Sequence, residues 1–377
     1  MKNNTEIHLT DDSTIEQIFL KLKNEMFPLF SKSNGELSYP DRYKNLKRVY
    51  LKVHKSVEKA AMVTTLEKYI EKKSCVDDKE FRKGLYSAMI YLNNHGKEHV
   101  KKVMEKVSEI LRFFPPGKGL TAYEMFVLLC AIQIHDTGNI FGRENHEQVI
   151  DIIFNKECKN IIPDKFERNL ITKIAMVHSG QIFGEKDTIK FLLDNSNFNN
   201  FNIRERLLAA LLRIGDELAD DKTRADKYGI ENDKIPKHSK IFHYYSQALH
   251  TVLIEKNQQN GELELVLEYD FDSDIARMKF IREDTEKYLI EEIYDRTIKM
   301  EKERRYCMRF LRPYFFLSRI KVNIRITDVK FAMNVKYINY ILEENEYPNE
   351  NISINDKMSG EEIVNFFNIK TMEKKNG

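Results

Sequence analysis

The spacing of polar and apolar positions changes character twice along the chain. Up to about residue 92 the apolar residues recur at helical spacing, with Leu46, Val49, Tyr50, Val53, Val57, Ala60 and Ala61 in step. This predicts an N-terminal helical region with helices over residues 14–29, 41–72 and 77–91, the first two parted by Ser-Asn-Gly at 33–35 and Tyr39-Pro40. His54 lies among lysines and reads as a surface residue.

From Asn93 to about Lys222 the pattern is a run of helices. His99, Val100, Val103, Met104, Val107, Ile110 and Leu111 share one face, Asn93 or Asn94 caps that helix, and Pro115-Pro116-Gly117 stops it. Thr121-Ala-Tyr-Glu124 is a capping box for the apolar helix that delivers His135. A shorter helix over 145–154 carries His146, and Pro163 opens another that carries Ile171, Ile174, Val177 and His178. The last begins near Ile203 and contains Asp216.

After Ala225 a period of two takes over in places. Residues 262–269 alternate, Asn257-Gln-Gln-Asn-Gly261 supplies a turn, and 244–256 completes a hairpin. A charged helix over 275–312 and a strand over 320–326 follow. The expected fold class is mainly α: an N-terminal helical region (1–92), an all-helical core (93–235) and a C-terminal α+β region (236–377).

Composition narrows the classes. With 42% apolar and 32% charged residues in 377, the chain is long enough to bury a full core in more than one unit. A net charge of +2 offers no global basic field for nucleic acid. The four cysteines show no paired spacing, and Cys130 reads as a small core residue. The stretch from Met125 to Ile134 is about half the ~20 residues of a membrane span, and no apolar signal region opens the chain. A cytoplasmic protein without a membrane partner is expected.

One doublet alters this bland picture. The apolar helix runs into His135-Asp136 and a turn at Gly138, so burial and polarity collide. A buried charge needs a partner, and adjacent imidazole and carboxylate are a natural start to a hard-metal site. Asp216 shares a helical stripe with Leu208 and Leu212, so it must be paired, neutralised or bound to metal. Alone, it reads equally as an ion pair with Arg213 or Arg224. His178 alone reads as a satisfied core histidine, and His146, beside Glu147, as a solvated helix start. Five of the ten histidines nevertheless fall between residues 95 and 178, which independent accidents explain poorly.

The series H…HD…H…H…D, over roughly residues 93–226, resembles the HD phosphohydrolase superfamily, named for its His-Asp doublet. Asn94-His-Gly-Lys-Glu-His-Val-Lys-Lys-Val103 looks like the helix with the family's first metal histidine, and the valine four residues on favours His99 over His95. Ile134-His135-Asp136-Thr137-Gly138 is similar to the His-Asp-x-Gly turn. Arg143-Glu-Asn-His146-Glu147 matches where two-metal members place a further histidine; Val177-His178-Ser179 and Leu212-Arg-Ile-Gly-Asp216 resemble the remaining elements.

The resemblance implies that His99, His135, Asp136 and Asp216 hold one divalent metal, with His146 and His178 completing a second site or facing substrate. Mixed imidazole and carboxylate ligands suit Mn²⁺, Fe²⁺, Co²⁺ or Ni²⁺, and Mg²⁺ less well. Glu147, Arg143, Arg213, Arg224, Lys118 and His95 are candidates for catalysis or phosphate binding. Lys240, His243 and Tyr244 lie in a basic and aromatic stretch suited to phosphate contact and base stacking, or to a half-buried strand.

The activity implied is cleavage of a nucleotide's phosphoester or phosphoanhydride, with a (deoxy)nucleoside triphosphate as first choice. The rivals are a cyclic nucleotide or oligonucleotide phosphodiesterase and a non-catalytic nucleotide-binding regulatory module. Members that cleave deoxynucleoside triphosphates often carry another histidine after the doublet's glycine, where this chain has Asn139. The Gly-Tyr-Pro signature of cyclic dinucleotide phosphodiesterases is absent. Similar members act in nucleotide-pool control and antiphage defence, which adds a nucleotide or protein regulator and a homo-oligomer to the expectations.

Overall fold

The computed structural model describes residues 5–9, 12–27, 37–60, 96–141, 146–178, 182, 184–235, 237–282, 285–330, 334–344 and 352–373. The chain divides into two units: Met1–Met89, His95–Ala219 and Cys307–Phe315 form the first, and Ile90–Asn94, Asp220–Tyr306 and Phe316–Gly377 the second.

The described helices of the first unit are α1 (Ile15–Phe19), α2 (Tyr39–Ala60), α3 (Lys97–Arg112), α4 (Ala122–Ile134), α5 (Ile150–Cys158), α6 (Lys165–Met176) and α7 (Glu205–Glu217). Helix α4 is apolar on every side and buried at every residue. A helix of that composition has no solvent face, so it becomes the axis, and α1, α2, α3, α6 and α7 all pack against it. Thr121 starts it with the predicted capping box: Glu124 N–H donates to Thr121 Oγ1 at 3.2 Å, and Thr121 N–H to Glu124 Oε2 at 2.9 Å. Glu124 also accepts from Arg204 Nε at 2.8 Å and Nη2 at 2.6 Å, fastening the start of α7 to the start of α4. Gly215 lets α7 lie close on α3, because a Cβ there would come within 2.5 Å of Val107 Cγ2.

The predicted helix over 14–29 is instead the short α1, capped by Thr14 and Gln17, and a 3₁₀ turn at Asn24–Met26. The expected helix over 77–91, the far end of the one over 41–72 and the Asn93 or Asn94 cap fall outside the described residues. His54 is not on the surface: it is 1% exposed, on the stripe Leu46, Tyr50, His54 that α2 turns inward. Its lysine neighbours point elsewhere because side chains one or two residues apart occupy different faces of a helix.

The second unit carries a four-stranded sheet. Strands Leu249–Lys256, Leu263–Asp272, Leu317–Thr327 and Val335–Glu343 are β5, β6, β9 and β10 of the chain, after β1 (Glu6–Ile7), β2 (Leu120–Thr121), β3 (Ser196–Phe198) and β4 (Phe201–Ile203) of the first unit. The order is β10-β9-β6-β5, with β6 and β9 parallel and the other pairs antiparallel. The 5–6 hairpin turns at Gly261, whose φ of +73° is open to glycine at no steric cost. In β9, Leu317, Ile320, Val322, Ile324 and Ile326 are buried, the alternation of a sheet with one covered face.

Two expectations are corrected here. The helix over 275–312 begins only at Leu289 (α11, Leu289–Leu311), after α10 (Ser273–Arg277) and the hairpin β7–β8 (Lys279–Arg282, Thr285–Tyr288). Asp272 caps α10 by accepting from Asp274 N–H and Ile275 N–H, both at 2.9 Å, and charge along the hairpin hid its period of two. Residues 244–248 belong to helix α9 (Lys237–Ala248), which follows the short α8 (Lys227–Glu231), not to a strand. There Tyr245 meets Tyr269 hydroxyl to hydroxyl at 3.1 Å, so burial overrides the strand preference of aromatic residues. The chain is mainly α, as expected. Among the described residues no helix is long and apolar enough to cross a membrane.

Candidate metal centre

Four helices and one tight turn bring six polar side chains together inside the first unit. His135 caps α4, its backbone N–H still bonded to Ala131 O at 3.0 Å, and its Nδ1 donates to Ile132 O at 2.8 Å. A carbonyl only accepts, so Nδ1 carries a proton and Nε2 is turned inward. His178, just past α6, is set the same way by Ala175 O at 2.6 Å from its Nδ1. After Asp136 the chain tightens into 3₁₀ turns over Thr137–Phe141 and His146–Val149. Gly138 is what lets the second turn close on the first: a Cβ there would lie 1.8 Å from His146 O. His99 comes from α3 and Asp216 from the last turn of α7.

The donors fall into two groups that share Asp136. His99, His135, Asp136 and Asp216 offer ligand atoms all within 4.8 Å of one another, as do Asp136, His146 and His178. The shared carboxylate divides its oxygens. Oδ2 lies 3.3 Å from His99 Nε2 and 3.4 Å from His135 Nε2; Oδ1 lies 3.4 Å from His146 Nε2 and 3.6 Å from His178 Nε2. Asp216 Oδ1 closes the first group, 3.0 Å from His99 Nε2 and 3.6 Å from His135 Nε2.

This donor set fits a divalent cation. His135 Nε2 is buried and makes no hydrogen bond, while carboxylate oxygens face it at 3.4 and 3.6 Å. A bare lone pair opposite two anionic oxygens is repulsive unless a proton or a metal ion lies among them. Electrostatics say the same: burial disfavours the charged ring of His135, yet Asp136 and Asp216 outweigh it and push its pKa up to about 10. Burial would raise Asp216, but His135 and His99 hold it well below the usual carboxylate range. The centre therefore attracts positive charge. His178, pushed down by burial, stays neutral and able to ligate. Nearly all these side chains are sealed from solvent, but Asp216 keeps 27% exposure and marks the open side of the first group.

Of the other expected residues, Glu147 is at the centre, 3% exposed, with Oε2 3.4 Å from His146 Nδ1. Arg213 is buried and donates from Nη1 to Thr188 Oγ1 at 2.8 Å. Lys118 is not brought there. It sits over the Tyr314 ring at the start of α4, and a helix of 13 residues sets it ~20 Å from His135. Arg224, Lys240, His243 and Tyr244 belong to the second unit. There Arg224 pairs with Asp220 at 3.5 Å, Lys240 pairs with Asp233, His243 Nδ1 accepts from Asp226 N–H at 3.1 Å and Tyr244 packs on Phe280. His95 and Arg143 lie outside the described residues.

Two residues escaped the sequence reading. Asn139 donates from Nδ2 to Asp136 Oδ1 at 2.9 Å, although a polar residue in a turn gives no sign of it in sequence. His54 is held down to about 4 first by burial and then by the nearby His135. Its spacing from Leu46 and Tyr50, the same argument that singled out Asp216, was the available signal.

The HD-CE family model matches residues 85–299, more than half of the chain. No curated protein and no solved structure matches it. The matched span contains every residue of the histidine–aspartate centre, and by that match the chain belongs to the HD-CE family.

Proposed function

We propose that the chain is a metal-dependent phosphohydrolase acting on a nucleotide, with a (deoxy)nucleoside triphosphate as substrate. The observation that carries this reading is the division of Asp136 between two imidazole groups, a donor arrangement suited to two neighbouring divalent ions. His99, His135, Asp136 and Asp216 would hold the first ion, and Asp136, His146 and His178 the second. Bound there, divalent ions supply Lewis acidity toward a phosphoryl oxygen and make water a competent nucleophile near neutral pH.

The chain's own groups serve that chemistry. The Nδ1–H bonds to Ile132 O and Ala175 O hold His135 and His178 in the tautomer that presents Nε2 inward. Glu147, with Oε2 3.4 Å from His146 Nδ1, orients that ring in the same way. Burial keeps bulk water from the anionic oxygens, and the exposed edge at Asp216 admits substrate. Neither of two described cysteines offers a competing nucleophile: Cys130 is buried with its thiol pushed far up, and Cys158 is raised to about 12.

The test is incubation of the purified protein and Mn²⁺ with pooled nucleotides, followed by identification of what disappears and what replaces it. Loss of a triphosphate with release of a nucleoside or of inorganic phosphates supports the proposal. A linear product without free phosphate makes the enzyme a phosphodiesterase, and no turnover together with no bound metal removes the enzymatic reading.

A further inference from the structure

We infer that Asn139 is a positioning residue that locks the Asp136 carboxylate so that one oxygen serves each group of imidazoles. Asn139 is 3% exposed within the 3₁₀ turn that follows the doublet, and its backbone N–H bonds to Asp136 O at 3.0 Å. That bond brings the side chain back over the carboxylate, where Nδ2 donates to Asp136 Oδ1 at 2.9 Å. The amide cannot face the other way, because its oxygen would then oppose an anionic oxygen. Its Oδ1 is buried without a hydrogen-bond partner, so the bond to Asp136 is the one Asn139 is placed to make.

A carboxylate turns easily about its Cβ–Cγ bond, and a quarter-turn would withdraw Oδ1 from His146 and His178 and Oδ2 from His99 and His135 together. The amide donor removes that freedom. The two groups do not depend on it equally. Without a fixed Asp136 the first still has His99, His135 and Asp216, whereas among the described residues the second has only His146 and His178. Asn139 therefore governs occupancy of the second group above all. Aspartate in its place would offer no donor and would set a second anion against Asp136.

This inference rests on the two-ion reading above, and the experiment separates the two. Mn²⁺ is titrated into the full-length protein and into Asn139→Leu, which keeps the volume without a donor, and Asn139→Ala, with free Mn²⁺ followed by electron paramagnetic resonance. Wild type should take up two ions. Both variants should hold the first within about threefold and bind the second about 10- to 100-fold more weakly, as loss of an outer partner of a ligand does. Circular dichroism should show unchanged helix content. If both ions weaken alike, or neither does, Asn139 does not position Asp136 and the inference is overturned while the functional proposal stands. Wild type that takes up fewer than two ions overturns the two-ion reading itself, and this inference with it. Asn139→Asp should also fail to restore the second ion; full restoration would show a ligand at this position instead of an orienting donor.

Discussion

His99 Nε2 lies 3.0 Å from Asp216 Oδ1, a contact between two helices made by residues 117 apart in the sequence. The close approach of α3 and α7 at Gly215 makes it possible. Gly215→Ala should therefore act on the metal centre without touching a ligand. A methyl that must displace Val107 is an overpacking change of about 1–3 kcal/mol. Thermal unfolding should show a Tm lower by several degrees, and Mn²⁺ should be held less tightly in the first group. Unchanged metal affinity would show that the helix spacing does not set the His99–Asp216 distance.

Ion stoichiometry should divide by residue. Asp216→Ala should remove the first ion and spare the second, His178→Ala the reverse, and Asp136→Ala should remove both and abolish turnover. Native mass spectrometry counts the ions. Asp136→Ala should keep most of its helix content by circular dichroism, because it removes a ligand and not a packing group. An equal loss of fold would make the doublet structural.

Chelation should lower thermal stability. Binding to the folded state alone stabilises by about 2.7 kcal/mol at 100 times the dissociation constant. Mn²⁺ at that excess should raise Tm measurably in wild type and leave Asp136→Ala unmoved. A shift of equal size in both would place the ion elsewhere.

Glu167 gives a pH dependence away from the ligands. It is fully buried on α6, accepting from Tyr123 Oη at 2.8 Å with Arg42 Nη1 at 3.6 Å, and burial pushes it from 4.5 up to about 7. The folded state thus holds this proton to higher pH than the unfolded chain. Its contribution is most favourable below about 4.5 and is lost as pH rises to about 7, a swing of about 3 kcal/mol. Glu167→Gln should remove the swing, so denaturation from pH 5 to pH 8 should favour the variant progressively. Parallel stability curves would mean that Arg42 keeps Glu167 charged throughout.

Glu124→Ala should be among the costlier single changes. It strips the capping box from α4 and leaves the Arg204 guanidinium, 12% exposed, without its main anion. Breaking a buried pair by one partner costs about 3–5 kcal/mol, and chemical denaturation should show it. A loss below 1 kcal/mol would mean that Glu6, 3.4 Å from Arg204, compensates.

The local grammar of the chain was readable. The Thr121–Glu124 capping box, the unbroken burial of α4, the Asn257–Gly261 turn and the alternation of β9 all follow from side-chain chemistry within a few residues. The five-part histidine and aspartate series was legible for a related reason: each ligand sits where an apolar run meets a polar group that must find a partner. The misreadings at His54, at residues 244–248 and along 275–288 share a cause. Charged or aromatic neighbours set the local pattern, and only packing by distant segments decides which face turns inward.

Sequence by itself therefore determined which polar residues must be paired, neutralised or bound to metal, since burying an imidazole or a carboxylate alone is costly. Only the tertiary structure decided how they are shared. That Asp136 points one oxygen to each histidine pair, that Asn139 holds it there, and that Lys118 sits at the far end of α4 are matters of helix packing. Distances between segments a hundred residues apart are set by the close contacts of whole helices, which no local pattern encodes.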